Sequence, residues 1–164
     1  MVRLCYFLLV LVGLAVSTVA FRVNTESRII IDDQGRSRIF HGVNVVSKSP
    51  PFHPTTDSFS PGMSVSKEDV AYMKKWGLNM VRLGVLWAAV EPVQGQYNST
   101  FLQTVRELTD TLGENGIFTI VDMHQDLFAR KFCADGMPDW VADSMFPQAR
   151  HSCTGIIGTV AHWL

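Results

Sequence analysis

The stretch NMVRLGVLW, residues 79–87, and the stretch IFTIVD, residues 117–122, are short apolar runs rich in β-branched side chains. Such runs are typical of strands in a parallel sheet that helices cover. A helix is predicted between them, at about residues 100–115, and Gly116 ends it. Its apolar face recurs at helical spacing, at Phe101, Val105, Leu108 and Leu112. The segment therefore predicts a strand–helix–strand unit with a right-handed crossover.

A further strand and helix are predicted before this unit. Residues 38–46 are apolar and β-branched, and with residues 28–31 they predict an N-terminal hairpin whose second arm serves as the first long strand. Ser66, with Asp69 three residues on, is typical of a helix N-cap, and Gly77 of a helix end. The sequence therefore predicts an α/β fold with about three strand–helix units.

The composition is that of an ordinary globular protein. The 164 residues suit one domain, and the formal net charge is -1. Because the chain has no excess of positive charge, it lacks the long-range attraction that phosphate backbones and acidic membranes require. We therefore expect no nucleic-acid partner.

Met1–Ala20 has the features of a secretory signal peptide. Arg3 supplies the positive start, residues 4–16 are apolar apart from Gly13, and small residues follow. The alternative is a membrane anchor, but the apolar run is shorter than the ~20 residues that a spanning helix needs. We therefore expect a secreted or lysosomal protein without a stable membrane anchor.

If the protein is secreted, its cysteines can form a disulfide and its Asn-Ser-Thr triplet can be glycosylated. Cys5 leaves with the signal peptide, and a disulfide is predicted between Cys133 and Cys153, the alternative being two separate thiols. Asn98 opens an Asn-Ser-Thr triplet, which is an acceptor for N-glycosylation in secreted chains. We therefore expect a glycoprotein with one disulfide.

Polar side chains cluster where the predicted strands end, which is where the working residues of (β/α) barrels lie. The candidates are Asn44, Lys48, Arg82, Asp122, His124 and Asp126. Each also has a structural interpretation. Arg82 suits an ion pair, His124 a buried histidine with satisfied hydrogen bonds, Lys48 a solvated loop and Asp126 a helix cap. Trp87 and Trp140 suit either stacking on a ligand or a place in the core.

A metal site is the alternative interpretation of the same segment. Asp122, His124 and Asp126 alternate along an extended stretch, so their side chains can face one way toward a divalent ion. His151 and Cys153 lie downstream, but they form no evident second cluster of ligands. We therefore predict neither a metal site nor a cofactor.

Three segments, HGVNVVSKSP (41–50), WGLNMVRLGVLWAAVEPVQGQYN (76–98) and VDMHQDLFARKFCADGMPDW (121–140), resemble glycoside hydrolase family 5 and its endoglycoceramidase-like group. The resemblance implies a (β/α)8 TIM barrel that cleaves β-glycosidic bonds with retention. Residues 21–164 are then part of the catalytic domain, its N-terminal portion with about three strand–helix units.

The resemblance also implies two catalytic glutamates, one in an Asn-Glu-Pro motif after the fourth strand and one on the seventh strand. Both positions are expected beyond Leu164, so we expect no catalytic residue in this chain, which we interpret as a truncated and inactive part. None of the five glutamates of this chain matches either catalytic position. These glutamates are Glu26, Glu68, Glu91, Glu107 and Glu114. Glu91 matches a structural loop of the family.

The resemblance further implies roles for the polar candidates. Arg82 and His124 match residues that support the nucleophile and the first sugar, and Lys48, Asp122 and Asp126 match residues that contact the glycan. The function that follows is hydrolysis of the oligosaccharide–ceramide linkage of glycosphingolipids, with a glycan or glycolipid as substrate and no protein partner evident. The alternatives are another family 5 glycosidase and a non-catalytic secreted pseudoenzyme or glycan-binding fragment.

Overall fold

The computed structural model of the chain describes residues 21–149. The predicted signal peptide, residues 1–20, and the predicted disulfide partner Cys153 lie outside these residues. The chain divides into two compact units, residues 1–39 and residues 40–164. None of the helices within residues 21–149 has the length and hydrophobicity that crossing a bilayer requires.

The first unit contains a hairpin of β1 (Phe21–Asn24) and β2 (Ile29–Asp32), which pair antiparallel. The predicted hairpin of residues 28–31 with residues 38–46 is present only at its turn, where Ile31 forms an antiparallel bridge with Ser37 and the Arg38 N–H donates to the Ile30 carbonyl at 2.7 Å. The strand that pairs with β2 along its length is β1. The side chain of Asn24 accepts hydrogen bonds from the backbone of Glu26 and Ser27, each at 3.0 Å, and so closes a tight turn just before β2. This turn brings β1 alongside β2, and residues 36–38 also bond to the backbone of β2.

Asp32 fixes the end of this hairpin with a buried carboxylate. Its oxygens accept hydrogen bonds from the backbone N–H of Gln34 and Arg36, and from the guanidinium groups of Arg36 and Arg38. Burial raises the pKa of Asp32, but the hydrogen bonds and the charge of Arg36 outweigh it and lower the pKa to about 2. The carboxylate is therefore ionised at neutral pH and stabilises the turn.

The second unit contains a three-stranded parallel sheet in the order β3–β4–β5. The strands are β3 (Gly42–Val45), β4 (Met80–Gly84) and β5 (Phe118–Asp122). Helix α1 (Lys67–Lys75) lies between the first two strands in the sequence, and α3 (Ser99–Glu114) between the last two. The predicted alternation of strands and helices is therefore confirmed.

Three short helices complete the described part of this unit. They are α2 (Trp87–Val90), a 3-10 helix (Arg130–Phe132) and α4 (Asp139–Met145). The prediction that the strand of β4 continues to Trp87 is wrong, because the strand ends at Gly84. The Leu86 carbonyl accepts hydrogen bonds from the backbone N–H of Ala89 and Val90, and so begins a helical turn instead.

The predicted helix ends are confirmed. Ser66 caps α1 in a reciprocal capping box with Asp69, and Gly77 follows the helix with a φ of 74°. At the start of α3 the side chain of Asn98 accepts a hydrogen bond from the Phe101 N–H at 3.1 Å. The exposed Asn98 therefore has a structural role, and its glycosylation stays a prediction.

One face of the sheet packs on the helices. The buried apolar cluster draws residues from α1, β4 and α3, and it includes Val70, Met73, Val81, Leu83, Leu108 and Leu112. Each fully buried aliphatic side chain contributes about 1.5–3 kcal/mol. Side chains alternate along a strand, so Arg82, between Val81 and Leu83, lies on the opposite face.

The helices within the described residues cover β5 only in part. Ile120 is 50% exposed and Val121 is 58% exposed. The reason is position, because β5 lies at the edge of the three-stranded sheet that the described residues form. The strand is apolar on both faces, yet the described residues bury it only in part.

Because Asp32 is ionised in the folded protein, we predict that its contribution to stability is lost in acid. The folded pKa, about 2, lies below the unfolded value of ~3.9, so the stabilising contribution is present above about pH 4 and is lost as the pH falls toward 2. The melting temperature of Asp32→Asn should therefore lie below that of the wild type at pH 7, and the difference should shrink as the pH falls to 2. The exposed neighbour is the control, since Asp33→Asn should show no such convergence. A constant difference for Asp32→Asn would contradict the assignment.

Candidate functional site

The parallel register brings polar residues from three strands to one face of the sheet. Asn44 lies opposite Arg82 in the pairing of β3 with β4, and Gly84 lies opposite Asp122 in the pairing of β4 with β5. Because side chains at every second position share a face, Asn44, Arg82 and Asp122 point to the same side of the sheet. This is the side opposite the buried core.

Arg82 links the two neighbouring strands through its guanidinium group. One nitrogen, Nη1, donates a hydrogen bond to Asn44 Oδ1 at 2.8 Å. The other, Nη2, lies 2.6 Å from Asp122 Oδ2. An arginine can make both contacts at once because its donors project in a fixed planar fork. The ion pair considered for Arg82 from the sequence is therefore present.

His124 lies between two carboxylates and is only 8% exposed. Its Nδ1 is 2.9 Å from Asp122 Oδ2, and its Nε2 is 3.2 Å from Asp126 Oδ2. Carboxylates only accept hydrogen bonds, so both contacts are hydrogen bonds when both ring nitrogens carry protons. Each ring nitrogen of His124 therefore has a carboxylate oxygen as its partner.

Lys48 is held by an ion pair to Asp126. Its Nζ lies 2.7 Å from Asp126 Oδ2, although the two residues are 78 positions apart in the sequence. The hydrogen bond from Lys48 lowers the pKa of Asp126, the charge of His124 adds to this effect, and partial burial opposes it. Lys48 is therefore not simply a solvated loop residue, and Asp126 is ionised at neutral pH.

The six candidates from the sequence thus form one continuous polar network. In order of contact its members are Asn44, Arg82, Asp122, His124, Asp126 and Lys48. The two fixed positive charges, of Lys48 and Arg82, balance the carboxylates of Asp122 and Asp126. The structure brings all six together, while their roles toward a substrate stay predictions.

A strained loop between residues 125 and 137 carries one end of this network. Leu127, Phe128 and Cys133 have positive φ angles of 51°, 89° and 63°. Such conformations are costly for residues other than glycine, about 1–2 kcal/mol each, and they often occur at functional sites. Cys133 is disulfide-bonded. The identity of its partner stays a prediction, because Cys153 lies outside the described residues.

Asp135 is a residue that the sequence analysis missed. Its backbone N–H and carbonyl exchange hydrogen bonds with those of Asp126 at 3.1 and 3.2 Å. Burial raises the pKa of Asp135, and the neighbouring charge of Lys48 opposes this. The only signal in the sequence is an acidic residue in the quoted segment 121–140, since its placement depends on a pairing between two parts of one loop.

A cavity of about 560 Å³ lies above the network. Polar or sulfur-containing side chains form much of its wall, at Asn44, Lys48, His124, Asp126, Cys133 and Asp135. The remaining wall is apolar and comes from Val46, Leu127 and Ala134. Arg82 and Asp122 are not part of this wall, and they orient Asn44 and His124 from below. The site therefore offers hydrogen-bond donors and acceptors to a ligand of moderate size.

The geometry does not favour a metal ion in this cavity. Ligand atoms of His124, Asp126 and Asp135 lie within 4.8 Å of one another, which is close enough for shared coordination. However, the ammonium group of Lys48 is 2.7 Å from Asp126 Oδ2 and repels a second cation at that oxygen. Lys48 thus supplies the positive charge that a metal would otherwise provide.

Glu91 and the two tryptophans form a separate cluster. Trp87 Nε1 donates to Glu91 Oε2 at 2.8 Å, Gly95 N donates to Glu91 Oε1 at 2.7 Å, and Trp140 Nε1 donates to the Glu91 carbonyl at 3.1 Å. The two indole rings meet edge to face, with centroids 5.7 Å apart. The carboxylate of Glu91 therefore holds a loop together, as the sequence led us to expect.

Comparison with known proteins gives consistent matches. Residues 45–155 match the cellulase family, glycosyl hydrolase family 5. The chain is 41% identical over 133 residues to an endoglycoceramidase of Hydra vulgaris, covering 79% of this chain and 26% of that protein. It is 39% identical over 122 residues to an endoglycoceramidase of Cyanea nozakii, covering 74% of this chain and 24% of that protein. The chain thus spans about a quarter of the length of these relatives.

A solved structure gives the same result for the fold. Endo-glycoceramidase II from Rhodococcus sp., in its complex with ganglioside GM3, superposes with a TM-score of 0.55 at 28% identity. The match covers 67% of this chain and 26% of that structure. The strand–helix units of β3, β4 and β5 are therefore units of a (β/α)8 TIM barrel, and the described residues do not form a closed barrel.

Gly136 offers a test of how the strained loop positions the site. Its φ is 113°, and a Cβ atom there would lie 2.1 Å from Gln125 Cβ and 2.6 Å from Gln125 Cα. Gly136→Ala should separate the two arms of the loop and reduce the free energy of unfolding by on the order of 3 kcal/mol, measured by urea denaturation. Gly62→Ala is the matched control, because Gly62 has a φ of 72° but nothing within 4 Å of its Cβ position. Equal losses for the two variants would show that backbone conformation alone, and not the close approach, is responsible.

Proposed function

The chain belongs to glycosyl hydrolase family 5, and on this basis we propose that the protein cleaves the oligosaccharide–ceramide linkage of glycosphingolipids with retention. Two named relatives are endoglycoceramidases, and the Rhodococcus enzyme of that name forms a complex with ganglioside GM3. These similarities support a glycolipid substrate rather than a β-glucan. The role of the described residues in this proposal is to bind the glycan.

The observation that carries the proposal is the polar network beside the cavity. Sugar hydroxyls both donate and accept hydrogen bonds, so they suit a wall that presents the ammonium of Lys48 together with the carboxylate of Asp126. Hydrogen bonds to charged groups are about twice as strong as those between neutral groups. Because the fixed charges balance, the cavity suits a neutral polyol better than a charged ligand.

Arg82 and Asp122 would act behind the binding wall, and His124 is part of that wall. The chain Arg82–Asp122–His124 fixes the orientation of the imidazole, whose Nε2 side reaches the cavity wall at Asp126. A guanidinium group also keeps a neighbouring carboxylate ionised, which is what a nucleophilic glutamate requires. We therefore propose Arg82 and His124 as supports of the nucleophile and the first sugar.

The proposed chemistry needs two carboxyl groups about 5 Å apart, one protonated and one ionised. Glu91 does not suit the protonated role, because hydrogen bonds from Gly95 and Trp87 lower its pKa. We propose that both catalytic glutamates come from sequence beyond Leu164. The coverage of about a quarter of each relative supports this part of the proposal.

We propose a secreted or lysosomal location for the protein. The predicted signal peptide supports this, and so does Cys133, which is disulfide-bonded. Disulfides persist in oxidising compartments and are rare in the cytosol. Detection of glycosylated protein in the culture medium of expressing cells would test the location and the predicted modification of Asn98 together.

A second candidate is a non-catalytic glycan-binding protein. The observation in its favour is that the described residues alone assemble the network and the cavity, without a pair of glutamates. Long-read sequencing of the transcript through the codon for Leu164 separates the two candidates. A frame that continues into an Asn-Glu-Pro segment supports the hydrolase, which should then release the oligosaccharide from GM3. A stop codon after Leu164 supports the binding protein.

Both candidates require Lys48 and Asp126 to bind glycan. Lys48→Met should weaken binding of methyl β-lactoside roughly ten- to a hundredfold, because a hydrogen bond from a charged group is worth about 1.5–3 kcal/mol. Asp126→Asn should have a similar effect. Isothermal titration calorimetry measures the affinities, and Lys75→Met, at an exposed lysine of α1, is the control. Affinities equal to the wild type in all three variants would sink the assignment of this cavity.

A further inference from the structure

Asp135 carries a carboxyl group with one oxygen, Oδ1, whose hydrogen-bonding capacity is unused among the described residues. The residue is 7% exposed, and its Oδ1 is buried without a hydrogen-bond partner among residues 21–149. Buried carboxylate oxygens are nearly always bonded, because desolvation without compensation costs free energy. The other acids of the site, Asp122 and Asp126, each make at least two polar contacts. Within the described part of the chain, Asp135 is therefore the acid of this cluster with a carboxyl oxygen left uncompensated.

The backbone, and not the side chain, holds Asp135 in place. Its N–H and carbonyl bond to those of Asp126, and Gly136 allows the close approach to Gln125 that this pairing requires. A hydrogen bond from the Asp126 backbone lowers the pKa of Asp135, but the fold still maintains a buried carboxyl oxygen, Oδ1, without a partner among the described residues. A group kept at such a cost inside a cavity is more easily explained by a ligand than by stability.

The surroundings of Asp135 define the ligand it can accept. The charged or titratable groups that act on it are Lys48, His124 and Asp126. Asp126 repels an anion, and Lys48 repels a cation. A neutral hydroxyl avoids both penalties and can bond to a carboxyl group in either protonation state, since a hydroxyl donates and accepts. Burial raises the pKa of Asp135, which extends the pH range of the neutral carboxyl form.

We propose that Asp135 is a further substrate-binding residue that determines specificity, through a hydrogen bond from its carboxyl group to one hydroxyl of the sugar ring that Lys48 and Asp126 bind. This inference rests on the proposed glycan-binding function. Ligand atoms of Asp126, His124 and Asp135 lie within 4.8 Å of one another, so one ring can reach all three residues. Asp135 would thus select for the position of a hydroxyl, while Lys48 and Asp126 supply most of the affinity.

The test is a calorimetric comparison of methyl β-lactoside with its monodeoxy analogues on the full chain. The wild type should bind one analogue about tenfold more weakly than the parent sugar, because that analogue lacks the partner of Asp135. Asp135→Ala should bind the parent sugar and this analogue equally well, while its preference among the other analogues is unchanged. Asp139→Asn, at an exposed aspartate of α4, is the control and should keep the wild-type profile. Asp135→Leu has nearly the shape of aspartate and cannot form a hydrogen bond, so it replaces the alanine variant if that variant does not fold.

The outcomes distinguish this inference from the function on which it rests. If the wild type binds no lactoside, both are overturned. If the wild type binds and the Asp135 variants keep its full selectivity profile, only the role of Asp135 is overturned. Binding of Mn²⁺ or Ca²⁺ that Asp135→Asn abolishes, with no change in sugar selectivity, would instead assign the residue to a cation site and overturn the proposal.

Discussion

The contact between Arg82 and Asp122 is the interaction on which the rest of the site depends. Arg82 reaches Asn44 on one neighbouring strand and Asp122 on the other, so its guanidinium group joins all three strands of the sheet. Asp122 in turn orients His124, and His124 contacts Asp126, the partner of Lys48. Removal of Arg82 would leave a partly buried carboxylate without its cation and the imidazole without its fixed partner.

The parallel register makes this contact possible. A shift of the β4–β5 pairing by one residue would turn Asp122 away from Arg82 and toward the helix-covered face, because side chains alternate along a strand. The buried cluster around Val81 and Leu83 opposes such a shift, since the same movement would expose it. Core packing on one face of the sheet thus fixes the polar geometry on the other.

The strained loop, residues 125–137, positions part of the site without contributing to the core. Its left-handed residues and the close approach at Gly136 add nothing to the core, yet they place Asp126 and Asp135 beside Lys48 and His124. Glycan recognition needs donors and acceptors held in fixed positions, and a rigid loop provides this better than a mobile one. Under the proposed glycan-binding function, this strain is the cost of holding the donors and acceptors of the cavity wall in place.

The sequence alone determined the alternation of strands and helices, the cap of α1 at Ser66 and the six polar residues of the network, because periodicity and caps are local properties and the strand ends mark where polar groups meet. The family followed from the three quoted segments. The partner of β2, the end of β4 at Gly84 and the position of Asp135 were decided by tertiary structure. Each of these depends on hydrogen bonds between segments, or on a local turn that competes with an extended strand, and residue patterns do not encode which contact prevails. The ion pair between Lys48 and Asp126 joins residues 78 positions apart, so only the folded sheet could bring them together.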